Sequence, residues 1–392
     1  LKNEALRFME NYLNLMLGLP EVTVAKVLTE ENEVYLNIKL TNLGTNCPKC
    51  QSYTAEINQN RPMIVRDLPC FNKFTYLLVP RRQFYCPCCQ KYFTETLSWV
   101  DWKRRHTLRY ETNIFDRVIS SSIAKVASVE GLSYDEIEGI FNHMAKKQED
   151  KHWLEAKRIS IDEIAMHKGH QDYKAVICDL DKNKLIEVID GRTQDCLIER
   201  LSELPSKVRK SVKEVSVDMW HGFPKVIKEI FPNAQIVTDR FHVMKLLIEE
   251  LKKIAKSSGV KEKNKLSLVL RNKIDLKDSE RDELENLLSK SKRLKAAYEY
   301  KEEFRNIYET SQSVSEGEKR FQEWLNKARQ VYGKVINTIS DHLSTICNYF
   351  ISHASSGVME GINNKIKLVK RQGYGFRNFE NFRLRLLAAF SS

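Results

Sequence analysis

No apolar run in this 392-residue chain approaches the roughly 18 residues that a membrane-crossing helix needs, so no such helix is expected. The opening stretch, LKNEALRFMENYLNLMLGLP, lacks the uncharged apolar centre of a signal peptide. Charges run through it, and its pattern predicts an amphipathic helix. It also lacks an initiator methionine, as a fragment or trimmed chain would. With nine cysteines and no secretory signal, disulfides are not expected, and a reducing, cytoplasmic setting is. Between about 243 and 350 no strand pattern is legible.

Acidic residues are also scarce in two places. Residues 61–110 carry a net charge of +7 and residues 361–392 a net of +6, while the chain as a whole carries +12. The excess is therefore local, which suits polyanion binding at defined surfaces better than a uniformly solvated charge. Hydrophobic residues make up 42% and charged residues 30%, so the chain should be globular, with two or three domains.

Cysteines appear where metal chemistry would place them. CPKC at 47–50 and CPCC at 86–89 form two C-x-x-C knuckles, a pattern suited to tetrahedral thiolate coordination of a structural Zn²⁺. The expected ligands are Cys47, Cys50, Cys86 and Cys89, with Cys88 an alternative to Cys89. The strand-like runs between them predict a zinc ribbon, although the gap exceeds the usual ribbon spacing. Cys70, Cys178, Cys196 and Cys347 are expected to be small core residues. Arg81, Arg82, Lys103, Arg104 and Arg105 crowd this module and are candidate DNA contacts.

Residues 107–146 read as helices, with an apolar stripe of Ile114, Phe115, Val118 and Ile119. A short helix at 122–130, the turn Gly131-Leu132-Ser133 and a second helix opening on Ser133 and Glu136 give a helix-turn-helix pattern.

Three phrases then share one form: ISID at 159–162, VSVD at 215–218 and IVTD at 236–239, each a β-branched run ending on aspartate. Alternation puts Ile159 and Ile161, and Val215 and Val217, on one face, with Asp162 and Asp218 on the other. Clustered carboxylates repel unless a cation lies between them, which points to a metal-dependent site on a sheet. Strands at 158–162, 173–179 and 184–190, a helix at 193–204, a strand at 213–218, a helix at 221–230 and a strand at 235–239 follow the order of an RNase H-like fold. In that fold the first and fourth strands are neighbours, which would bring Asp162 and Asp218 together. The mixed-charge segment from about 243 to 350 predicts a helical insertion, with Trp324 in its core. In the final basic segment, Glu360, Asn364 and Lys367 share one helix face while Ile362, Ile366 and Val369 share another.

The succession of two knuckles, helix-turn-helix, SIDEIA, DMW, DRFH and EGINNKIK-x-x-KR-x-x-YGFRNFENFRLR resembles the ISL-three family of bacterial insertion-sequence transposases over nearly the whole chain. The resemblance implies a DDE transposase that binds terminal inverted repeats and catalyses metal-dependent DNA cleavage and strand transfer. It also implies Asp162, Asp218 and Glu360 as the acids holding two Mg²⁺ (or Mn²⁺) ions, with Asp162 bridging. Asp239 of DRFH is the alternative second acid. Lys365, Lys367, Lys370 and Arg371 would hold flanking phosphates, and Arg240 and His242 would contact the scissile phosphate. Partners would be double-stranded repeat and target DNA, with a homodimer assembled on it. A catalytically silent DNA-binding regulator and a structure-specific nuclease on the same fold are the competing readings.

The expected architecture is thus an α+β multidomain chain. An N-terminal helix and strands (1–45) precede a zinc ribbon (46–106) and a helix-turn-helix (107–150). An RNase H-like mixed β-sheet catalytic core (151–245) is interrupted by an all-helical insertion (246–345) and completed by final helices with the third acid (346–392).

Overall fold

The computed structural model describes residues 12–149, 153, 155–167, 171–353, 357–372 and 378–390. Most of the expected N-terminal helix lies outside them; residues 12–17 are helical (α1). The chain divides into two compact units, Leu1–Lys147 and Gln148–Ser392.

In the first unit, β1 (Val22–Thr29) and β2 (Glu33–Leu40) form an antiparallel hairpin. They share a sheet with the hairpin of β6 (Met63–Cys70) and β7 (Lys73–Val79), in the order β1-β2-β7-β6. Alternating apolar residues of these strands, including Val24, Ile38, Val65 and Leu77, meet Trp99 in one core. The ribbon strands are separate: β3 (Thr45–Asn46) pairs with β4 (Tyr53–Thr54), and β5 (Ile57–Asn60), β8 (Arg82–Cys86) and β9 (Lys91–Thr94) form a three-stranded sheet. This explains the long gap between the knuckles, because the β6–β7 hairpin lies between them in sequence yet belongs to the other sheet. Gly44 permits the β3–β4 approach, since a Cβ there would lie 2.3 Å from the Thr54 carbonyl oxygen. Cys70, expected in the core, is exposed beside the hairpin turn formed by Phe71 and Asn72, both in the left-handed region.

Three helices follow: α2 (Leu108–Ser120), α3 (Ile123–Glu130) and α4 (Tyr134–Glu149). Thr107, Ser122 and Ser133 each cap a helix by accepting the backbone N–H three residues on, satisfying donors the helix itself cannot. Gly131 ends α3 at φ +63°, where a side chain would be strained. Ile114, Phe115 and Val118 are buried as the periodicity predicts, and Phe115 stacks on Phe141 of α4. Ile119, expected on the same stripe, is only half-buried.

The second unit is built on a five-stranded sheet. Its strands are β10 (Arg158–His167), β11 (Gln171–Asp179), β12 (Lys184–Ile189), β13 (Glu214–Val217) and β14 (Gln235–Thr238), in the order β12-β11-β10-β13-β14. The β12-β11-β10 ladder is antiparallel; β13 and β14 add on in parallel. The first strand outruns the expected 158–162 because β11 continues to pair with it as far as His167. Asp162 is therefore within its strand, opposite Val176, although its other neighbour β13 ends beside Ile161. Ile159, Ile161, Val215 and Val217 form a core with Leu197 and Leu201 of α5 (Gln194–Ser202) and with Phe223, Val226, Ile227 and Ile230 of α7 (Phe223–Ile230). A short α6 (Ser206–Ser211) lies between those helices in sequence.

From Arg240 the chain is helical. α8 (Arg240–Ser257) begins six residues before the expected insertion boundary, directly after β14. It is followed by α9 (Lys263–Leu270), α10 (Asp278–Ser289), α11 (Lys292–Thr310), α12 (Val314–Tyr332), α13 (Lys334–Asp341), α14 (Leu343–Cys347) and α15 (Tyr349–Ser352). Their common core centres on Phe304, Tyr308, Phe321 and Trp324. Trp324 is fully buried and donates its indole N–H to the Tyr300 carbonyl at 2.8 Å. The Thr238–Thr345 hydroxyl contact at 2.7 Å and the Asn348 amide bond to the Ile236 carbonyl tie these helices back to β14.

The chain then returns. α16 (Gly357–Gln372) buries Met359, Ile362, Ile366 and Val369 and packs beside β10. α17 (Phe379–Ala389) packs on β12, where Arg383 donates to both Glu187 carboxylate oxygens at 2.6 and 2.9 Å, with both side chains buried.

Candidate active site and metal centre

Parallel registration aligns the three aspartates. Ile161 is level with Val217, and Val217 with Thr238, so Asp162, Asp218 and Asp239 each stand one residue beyond that row. The Asp218 carboxylate accepts the Trp220 N–H at 2.9 Å. Asp239 accepts the Phe241 N–H at 2.8 Å as the cap of α8. Asp162 accepts its neighbour's N–H through Oδ1 and the Asn363 side-chain amide through Oδ2, both at 2.8 Å.

The electrostatics reflect this crowding. Burial pushes the Asp239 carboxyl above the usual carboxylate range; the Phe241 N–H and His242 pull it down, and the charges of Asp162 and Asp218 push it up again. Asp239 is 9% exposed, whereas Asp218 and Asp162 are more open. His242 Nε2 lies 3.8 Å from Asp162 Oδ1. Carboxylates of this kind are the donors a hard divalent ion takes, although among the described residues no three of these acids have oxygens within 4.8 Å of one another.

Glu360 is in the first turn of α16, exposed and one turn before Asn363. Residues i and i+3 share a helix face, so the bond from Asn363 to Asp162 turns the Glu360 face of α16 toward the aspartates. Nothing in the sequence around Asn363 marks it as a partner of Asp162. Its only signal there was the helical spacing from Glu360.

Several predicted phosphate contacts have partners within the protein. Arg240 pairs with Glu309 and stacks over Tyr308, 5.0 Å from its ring centre, so it fastens α8 to the helical domain. Arg82 is buried, bonded to both Glu95 oxygens and to Asn42. Arg104 is committed to the buried Glu111 at 2.7 Å. Lys370 donates to the Met166 carbonyl on β10. Arg81 lies over the half-exposed Trp102 ring at 5.2 Å. Lys103, Arg105, Lys365, Lys367 and Arg371 are exposed.

In the first unit, the sulfurs of Cys47, Cys50, Cys86 and Cys89 all lie within 4.8 Å of one another. Each knuckle is followed by a residue in the left-handed region, Gln51 or Gln90, which turns the chain away after the second cysteine. Cys88 points outward, exposed, and takes no part in the cluster. The thiols do not behave alike. Hydrogen bonds from Ser52 pull Cys50 down to about 5, while Cys89, bonded to Cys50, is pushed up to about 12. A cation would let all four ionise together.

Comparison with known proteins identifies the family. Residues 159–386 match a family model described as a transposase, of ISL3 type. The chain belongs to the ISL3 family of transposases. Residues 95–145 match the helix-turn-helix domain of that family, and residues 44–89 match the zinc finger of the IS204/IS1001/IS1096/IS1165 transposases. The transposase for insertion sequence element IS1001 of Bordetella parapertussis is 26% identical over 360 residues, 88% of each protein. The transposase for IS1557 of Mycobacterium tuberculosis is 23% identical over 324 residues, 72% of each. A Lactococcus lactis protein named as an ATP-dependent protease is 32% identical over only 112 residues, 28% of this chain. This ISL3 transposase thus carries a zinc-ribbon domain, a helix-turn-helix and a transposase domain in that order, as the sequence predicted. Among its described residues no helix is long and apolar enough to cross a membrane.

Proposed function

We propose that this transposase binds the terminal inverted repeats of its element and cuts and joins DNA by two-metal chemistry on an RNase H-like core. The observation that carries the reading is the row of Asp162, Asp218 and Asp239 at one end of a β12-β11-β10-β13-β14 sheet, with α16 bonded onto it through Asn363. Helices α8–α15 are then an insertion between the fifth strand and the helix bearing the third acid.

Asp162, Asp218 and Glu360 would hold two Mg²⁺ or Mn²⁺ ions. Asp218 is the better second acid, being more open than Asp239, whose buried carboxylate is engaged in capping α8. Ions held by Asp162, Asp218 and Glu360 would supply the charge that lowers the pKa of an attacking water or 3′-OH and that stabilises the leaving oxygen of an in-line displacement. The chain's own part is positioning: Asn363 fixes the Asp162 carboxylate, and His242 stands 3.8 Å from it, close enough to face the scissile phosphate. Lys365, Lys367 and Arg371, on the exposed face of α16, would neutralise flanking phosphates. In the first unit Lys103 and Arg105 would do the same, while zinc held by the four cysteines fixes the ribbon. Assembly on paired ends implies a homodimer on DNA, in the bacterial cytoplasm.

A labelled terminal-repeat duplex incubated with the protein and Mg²⁺ tests this. Nicking and strand transfer, both lost in Asp162→Asn with binding retained, are expected. Binding by the native protein without any cleavage would overturn the catalytic reading and leave a DNA-binding regulator.

A further inference from the structure

We propose that the helix-turn-helix holds a divalent cation of its own, bound by Asp101, Glu111 and His143. Asp101 is in the loop ahead of α2, Glu111 is in the first turn of α2, and His143 is on α4. One ligand atom from each lies within 4.8 Å of the other two. His143 Nε2 is 2.7 Å from Asp101 Oδ2 and 3.9 Å from Glu111 Oε2.

Glu111 is fully buried, yet its two oxygens are treated differently. Oε1 accepts Arg104 Nε at 2.7 Å, whereas Oε2, the oxygen facing His143, has no hydrogen-bond partner. A buried carboxylate oxygen without a partner is costly, and proteins rarely tolerate one unless an ion or water meets it. A second buried atom without a hydrogen-bond partner lies on the other side of Glu111. His106 is 7% exposed, its Nε2 faces Glu136 at 3.1 Å, and its Nδ1 lies 3.6 Å from Glu111 Oε1 with no hydrogen-bond partner.

The charges match this reading. Asp101, Glu111 and Glu136 face Arg104 and Lys147, so with neutral imidazoles the cluster as a whole carries one net negative charge. Lys147, bonded to Asp101, is 42% exposed on a flexible stem and can turn aside toward solvent. One imidazole and two carboxylates suit Zn²⁺, which binds such donors at about 2.0–2.2 Å and leaves a fourth position for water. The ion would staple the loop to α4 across 42 residues, fixing how the helices of the DNA-reading module pack.

Zinc counting on the reduced, full-length protein, expressed with zinc and dialysed against metal-free buffer, tests this. Two zinc atoms per chain are expected, one released by a thiol-specific mercurial and one retained. Glu111→Gln should lose the retained atom and keep the thiol-bound one. A native protein whose zinc is all released by the mercurial would overturn the proposal, whatever the variant's folding. So would a retained atom that survives in Glu111→Gln.

Discussion

The side-chain amide of Asn363 donates to Asp162 Oδ2 across 2.8 Å, joining residues 201 positions apart in the chain. The bond selects one carboxylate oxygen and fixes the other's direction, and it is made by the helix that carries Glu360. Hydrogen bonds to charged groups contribute about 1.5–3 kcal/mol. Asn363→Ala is therefore expected to slow terminal-repeat nicking roughly tenfold or more, at unchanged DNA affinity. Asn363→Asp sets a like charge against Asp162 and should cost more, with partial rescue as the divalent ion concentration is raised. Nicking rates across a Mg²⁺ titration check both.

The aspartates should separate by role. Asp218→Asn is expected to abolish cleavage while leaving the unfolding midpoint nearly unchanged. Asp239→Ala removes the cap of α8 and should in addition lower stability by about 1 kcal/mol. Parallel nicking and denaturant unfolding assays distinguish the two.

The ribbon should depend on its metal. Chelation, or Cys47→Ser, is expected to weaken terminal-repeat binding severely, whereas Cys88→Ser should leave zinc content and binding as they are. Zinc content measured alongside a gel-shift assay reads this directly.

Arg383 and Glu187 form a buried pair between α17 and β12, and Arg200 also reaches Glu187 at 3.1 Å. Removing Arg383 leaves the buried Glu187 with Arg200 as its remaining cation, so Arg383→Ala should destabilise the second unit by about 3 kcal/mol, the lower end of the cost of breaking a buried pair. The paired change of Arg383→Met with Glu187→Leu should recover much of that loss, as denaturant unfolding would show.

Lys301 supplies a pH prediction. Burial lowers its pKa below the usual lysine value of 10.5, with Glu302 opposing the shift. Because the unfolded chain then binds more protons, stability should rise with pH from the lowered value up to 10.5 and carry the full penalty below it. The Arg271 carbonyl that accepts from Lys301 also accepts from the Tyr298 hydroxyl, so Lys301→Met leaves it a partner. That variant is expected to be at least as stable at neutral pH and to lack the rise, measured as unfolding free energy across pH 8–10.

Much of the site was legible because its signals are local. Strand alternation located Asp162, Asp218 and Asp239, and knuckle spacing located Cys47, Cys50, Cys86 and Cys89. Charge was less informative, since a residue name does not say which partner folding will bring. Arg82 and Arg104 read as phosphate contacts, yet each is held by a buried carboxylate, Glu95 or Glu111, from another part of the chain. Arg240 is engaged in the same way: Glu309 and Tyr308 reach it from 69 and 68 residues away. Nor could spacing reveal that the β6–β7 hairpin leaves the ribbon for a neighbouring sheet, because that depends on β2, which pairs in parallel with β7.

The late arrival of α16 gives the molecule an order in time. The first unit, with both knuckles and the helix-turn-helix, is made first, and the three aspartates follow. The helix with Asn363 and Glu360 comes only after the whole helical domain has been synthesised. A chain still on the ribosome before that point would possess its DNA-reading modules and lack a finished cutting site. If the proposed function holds, a chain ending before α16 should bind terminal-repeat DNA without nicking it, as gel-shift and nicking assays would show.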